Sequence, residues 1–360
     1  MLNFQPVNWK EITVIELASV LAGPSVGAFF AELGANVIKV ENKTTGGDVT
    51  RNWKSSKEDA EAPISAYYSS VNYWKEVHFI DYNNPAELSR IHEMIQKAQI
   101  VISNFKPGSA KKWQLDYESL KDLNPNIVSA EIKGYPNTNK AAFDVVLQAE
   151  TGYISMTGTD HQHLAKLPVA LIDVLAAHQL KEGILVALLS QQNSVKPYRV
   201  VVSLYETALA SLVNQASNYL MSGLVPQPIG TMHPNIAPYG DLFYDRTNNP
   251  FVLAIGTERH FQSLCEEIGL PELITNPLFS TNANRVQNRT KLYELLQQKF
   301  EELNRDALLS QFEKLKIPSG AVQKLDEVFK SKSAQNLIIE SREEGVKTKR
   351  VRGNVFRITS

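Results

Sequence analysis

Through its first two hundred or so residues the chain alternates short β-like apolar runs with stretches of helical period, and this alternation restricts the fold more than any other feature. Ile12 to Leu17 and Asn36 to Glu41 read as strands around a helix from Pro24 to Leu33, a βαβ unit turned by Ala22-Gly23-Pro24. Pro24 suits a first helical turn and Gly34 a helix exit. The pattern continues with strand Val77 to Asp81, helix Pro85 to Ala98, strands Ile100 to Asn104 and Ile127 to Lys133, helix Val174 to Leu189 and strand Tyr198 to Leu204. A long amphipathic helix is predicted from Tyr205 to Met221. The expected architecture is α/β, a doubly wound Rossmann-like sheet whose ligands gather at the carboxyl ends of the strands. Asn42, Asn104 to Lys106 and Lys133 to Tyr135 lie at such ends. A dinucleotide site is disfavoured even though Glu41 ends the second strand, because Gly23-x-x-x-Gly27 lacks the glycine spacing that brings backbone against a pyrophosphate.

Beyond residue 222 the character changes. Gly223 to Pro238 is rich in proline and reads as a linker. A hairpin follows, with strands Asp241 to Asp245 and Phe251 to Ile255, and then helices Glu258 to Ile268, Arg289 to Leu303 and Asp306 to Leu315. The division expected is a large domain of residues 1–222 and 331–360, a linker of 223–238 and a small α+β domain of 239–330.

Composition narrows the function. A formal net charge of −1 over 360 residues provides no positive field to recruit nucleic acid or an anionic membrane, which favours a small-molecule substrate. No apolar run is long enough to span a bilayer, and the opening Met1 to Glu16 does not read as a signal peptide, so a cytoplasmic protein is expected. The single cysteine, Cys265, has no partner for a disulfide or a zinc site and sits in an amphipathic helix; neither thiol catalysis nor a metal is expected. Asp173 is different. It follows the apolar run Leu167 to Ile172 and opens a helix, which puts a carboxylate among apolar neighbours. Helix N-capping alone also accounts for an aspartate there.

Several further segments carry a family signature. Val20-Leu21-Ala22-Gly23-Pro24, Leu33 to Glu41, Gly47-Asp48-x-x-Arg51, Asn104-Phe105-Lys106-Pro107-Gly108, Lys133-Gly134-Tyr135, Asp144 to Gly152, Asp173 with Gly183, His233 to Tyr239 and Ile317-Pro318-Ser319-Gly320 resemble, in order and spacing, the class III CoA-transferases, the formyl-CoA:oxalate and carnitine CoA-transferase type. The resemblance implies that CoA passes from an acyl-CoA thioester to a carboxylic acid through a covalent intermediate on Asp173, with the thioester as substrate and no separate cofactor. It further implies CoA contacts at Asn104, Phe105, Lys106, Lys112 and Lys133, and an acyl group near Leu21, where the oxalate enzyme has glutamine. Read alone, Lys106, Lys111 and Lys112 form a solvated basic patch. The family also implies a homodimer of two interlocked chains.

Two other activities fit the same framework. An α-methylacyl-CoA racemase shares the resemblance but needs a histidine before the position of Asp144, where this chain has Phe143; His161, His163 and His178 have no acid–base spacing. A catalytically silent CoA-binding protein is the other, motivated by Asn42 and by Asn72 to Val77, where expected positive charges are missing.

Overall fold

The computed structural model describes residues 8–106, 108–138, 140–192 and 194–359, so residues 1–7 of the opening segment and Pro107 of the Asn104 to Gly108 motif lie outside it. The chain forms two compact units, one of residues 1–151, 167–217 and 336–360, the other of 152–166 and 218–335.

The first unit is built on six strands: β1 (Thr13–Glu16), β2 (Asn36–Asn42), β3 (Glu76–Ile80), β4 (Ile100–Ser103), β5 (Val128–Lys133) and β6 (Tyr198–Ser203). Their order is β3-β2-β1-β4-β5-β6 and every neighbouring pair is parallel. This is the doubly wound arrangement expected, with its switch point between β1 and β4. Ile15 on β1 stands opposite Ile38 on β2 and Val101 on β4. Ile15, Val40, Ile80, Ile91, Ile95 and Val101 belong to one buried apolar cluster. The Ala22–Leu33 helix packs against the Leu171–Gln191 helix, which also lies on β5 and β6. Gly183 permits that approach, because a Cβ there would collide with Val200 of β6. The C-terminal strands β10 (Ile338–Glu343) and β11 (Val346–Val351) return to this unit as an antiparallel hairpin.

The second unit holds an antiparallel sheet of β7 (Tyr239–Tyr244), β8 (Pro250–Ala254) and β9 (Ser319–Ala321). The predicted hairpin is present, and the three predicted helices run Glu258–Glu267, Arg289–Phe300 and Arg305–Lys314. Phe243, Phe251, Phe300 and Phe312 fill its core. The proline-rich stretch before β7 is held rather than loose: Ala237 is buried, its carbonyl accepts from Arg285 Nε at 2.9 Å, and Arg289 donates to the carbonyls of His233 and Ile236 at 2.5 Å each. Residues 152–166 join this unit through main-chain pairing, including Gly230 N–H to the Gly158 carbonyl at 2.7 Å.

Two local expectations change. The helix predicted from Tyr205 to Met221 is two helices, Leu204–Ala210 and Val213–Ser222, the second opening on Val213 at φ +42°. The helix expected to begin after Asp173 begins at Leu171, which puts Asp173 in its first turn rather than at its cap.

Candidate active site

Helices that precede a parallel strand run back along the sheet, so the Leu171–Gln191 helix, which leads to β6, starts at the carboxyl edge. Its N-cap, Ala170, has no side-chain acceptor to offer the free N–H groups of the first turn. Asp144 supplies one from another segment: its Oδ2 accepts from Ile172 N–H at 2.7 Å and from Asp173 N–H at 3.4 Å. Gln148 holds the other oxygen of Asp144 and accepts from Leu167 N–H at 2.8 Å. Asp173 is therefore not needed as a cap, and its carboxyl is left in a site only 9% exposed. Burial, and then the neighbouring Asp144 carboxylate, push its pKa up to about 7. Half-buried Tyr67 lies near the same charges; burial first, then Asp173, Asp144 and Asp48, raise its phenol.

The loop from β1 into the Ala22–Leu33 helix is fixed at the switch point. Asn104, expected as a CoA contact, holds this loop with its amide, donating to the Ser19 carbonyl at 2.8 Å and accepting from Ser19 N–H at 3.0 Å. Leu21 follows as the half-buried N-cap of the helix. Beneath it lies a chain of buried charges. Lys39 Nζ reaches Glu16 at 2.9 Å, the Ala18 carbonyl at 2.8 Å and Asp48 at 3.1 Å. Burial alone would lower Lys39, but Glu16, Asp48 and Glu41 raise it instead. Lys75 Nζ meets the second Glu16 oxygen at 2.7 Å and the Pro24 carbonyl at 2.8 Å. Lys75 is pushed down to about 8, chiefly by burial, with Glu16 opposing the shift.

Glu41 is also occupied. It accepts from Arg51 Nε at 2.6 Å, Tyr68 Oη at 2.6 Å and Asp48 N–H at 2.9 Å.

Of the remaining predicted residues, Phe105 belongs to an aromatic group, edge-on to Tyr82 at 5.9 Å and to Trp113 at 5.5 Å. Exposed Lys112 donates to Asn83 Oδ1 at 2.9 Å and stands 5.8 Å over Trp113, so the structure brings Phe105 and Lys112 together through that indole. Lys106 is exposed beyond β4, and Lys133 is exposed at the end of β5. Asp48, Tyr67 and the capping role of Asp144 were not assigned from sequence; Gly47-Asp48-x-x-Arg51 was the only signal for the first. Phe143, where a racemase requires histidine, is an exposed helix cap, and His163 pairs with Asp160 on the surface. Cys265 is buried, and burial pushes its thiol up to about 12. Among the described residues no helix is long and apolar enough to cross a membrane.

A family model described as CoA-transferase family III matches residues 10–359. A succinate–glutarate CoA-transferase of Agrobacterium fabrum is 33% identical over 331 residues, spanning 90% of this chain and 82% of that protein. An acetyl-CoA:oxalate CoA-transferase of Acetobacter aceti is 29% identical over 337 residues, spanning 92% and 85%. Among solved structures, a CAIB/BAIF family protein from Brucella suis matches with a TM-score of 0.82 at 31% identity, covering 98% of this chain and 93% of that one.

Proposed function

The chain belongs to CoA-transferase family III, and from that premise we propose that it exchanges CoA between an acyl-CoA and a carboxylic acid through a covalent intermediate on Asp173. A carboxylate oxygen of Asp173 attacks the thioester carbonyl, the C–S bond breaks, and an acyl–aspartyl anhydride forms as CoA thiolate leaves. The thiolate then attacks the aspartyl carbonyl, releasing the donor acid and leaving an aspartyl-CoA thioester. The acceptor carboxylate repeats both steps in reverse, so no water and no net proton are consumed. The observation that carries this reading is the buried Asp173 carboxyl with its pKa near 7. A more basic carboxylate is a better nucleophile once ionised, and the burial responsible also keeps water from the anhydride.

In this reading Leu21 lines the acyl side, Phe105 beside Trp113 offers the adenine an apolar surface, and Lys106, Lys112 and Lys133 meet the phosphates. Asn104 acts by holding Ser19. The substrates are dicarboxylic acids and their CoA esters; the relatives named for succinate, glutarate and oxalate support this class. The enzyme needs no dedicated cofactor or metal, works in the cytoplasm and is a homodimer of interlocked chains. Exposed apolar side chains support a covering partner: Val186 is 63% exposed, Leu220 78% and Met221 88%.

The test is incubation with succinyl-CoA followed by hydroxylamine or borohydride trapping and peptide mass spectrometry. The expected result is a modified peptide containing Asp173, absent from the Asp173→Ala protein, which also loses transfer between acids. Undiminished exchange by Asp173→Ala would refute the mechanism.

A further inference from the structure

Val20 adopts φ +75°, a left-handed conformation that is costly for a β-branched residue and persists only where its surroundings impose it. Those surroundings are specific. The Val20 N–H donates to both oxygens of Asp48, at 3.3 and 3.1 Å. The main chain on either side is pinned as well: Ala18 by Lys39, Ser19 by Asn104, and Pro24 by Lys75. Asp48 is itself held by Thr50, whose N–H and hydroxyl reach Oδ1 at 3.0 and 2.8 Å, and by Lys39. The Lys39, Glu16 and Lys75 side chains are fully buried and that of Asp48 nearly so, which is expensive for four charges unless each is paired. A simple capping role would need none of this.

We propose that Asp48, paired with Lys39, is a positioning residue of the transfer reaction, holding the Val20–Leu21 peptide in a strained conformation that orients the thioester for attack by Asp173. The arrangement acts on alignment: in the function proposed above Leu21 of the held peptide lines the acyl side, while the residues read as CoA contacts follow β4 and end β5. Its loss therefore lowers kcat and leaves KM for acyl-CoA little changed. The inference rests on the Asp173 mechanism.

Asp48→Asn keeps an oxygen for the Val20 N–H but removes the charge opposite Lys39; Asp48→Ala removes both. The expected kcat per folded site, with sites counted by trapping the Asp173 adduct at completion, falls about tenfold in Asp48→Asn and about a hundredfold in Asp48→Ala. KM stays within about threefold, the pattern of a group that acts only on alignment. Because an unpaired Lys39 can prevent folding, Val20→Gly is the second variant: glycine accepts φ +75° without strain but no longer fixes it. It should fold as the parent does, with its kcat reduced in the same sense. If both Asp48→Asn and Val20→Gly turn over at the parental rate per folded site while Asp173→Ala is inactive, the positioning role is refuted and the nucleophile stands. If Asp173→Ala is active, the mechanism itself has failed.

Discussion

Asp173 owes its basicity first to burial and then to Asp144, and the two contributions are separable. In the proposed mechanism attack requires the ionised carboxylate, so the first acylation step should slow as pH falls through about 7, where Asp173 takes up its proton. Asp144→Asn keeps an acceptor for the Ile172 and Asp173 N–H groups while deleting the charge; the acid limb of a single-turnover pH profile should then move to lower pH. An unmoved limb would show that Asp144 does not burden Asp173. Position 173 was legible in the sequence because apolar neighbours and family spacing both mark it. Its surroundings were not. Asp144 lies 28 residues from the Ile172 N–H it accepts, and no local pattern announces a cap supplied from another helix. That remote cap is also why the helix starts before Asp173. Asn104 is a second case: no local pattern announces that its amide pairs with the Ser19 backbone 85 residues away.

At the scale of elements, an inner strand such as β4 could be read because both faces are covered and its run is largely apolar, while the edge strands β3 and β6 are partly exposed and were read from their β-branched and aromatic residues. The β10–β11 hairpin could not. Its inward residues include Thr348 and Arg350, the latter donating to the Ser69 carbonyl at 3.0 Å, so a polar stripe replaces the apolar alternation that would mark a strand. Gly27 illustrates a motif whose meaning appears only in three dimensions. It belongs to no phosphate loop; its missing side chain makes room for the Glu16 carboxylate, with Lys75 Nζ 3.2 Å from where a Cβ would stand. Gly27→Ala should therefore cost about 3 kcal/mol or more in thermal or urea unfolding, by overpacking a buried ion pair that has nowhere to move. A variant that melts with the parent would mean that the Glu16–Lys75 contact shifts freely.

For the whole molecule, the interlocked dimer proposed above could not part without unfolding, so light scattering on serial dilution should give a dimer mass that does not change with concentration until the melt begins. A monomer that grows in on dilution would rule out the interlocked arrangement. The first unit, moreover, is discontinuous. Arg51, committed to Glu41, completes its pairing with Glu344 at 2.9 Å, and Glu32 accepts from the Gly353 and Asn354 N–H groups at 2.7 Å each. Residues 336–359 complete a unit begun by the first strands, so a growing chain carries that unit unfinished until they have been made. Meanwhile the stretch from 218 to 335 can collapse onto its own aromatic centre. Completion thus runs opposite to sequence order: the unit begun first is closed after the unit begun second.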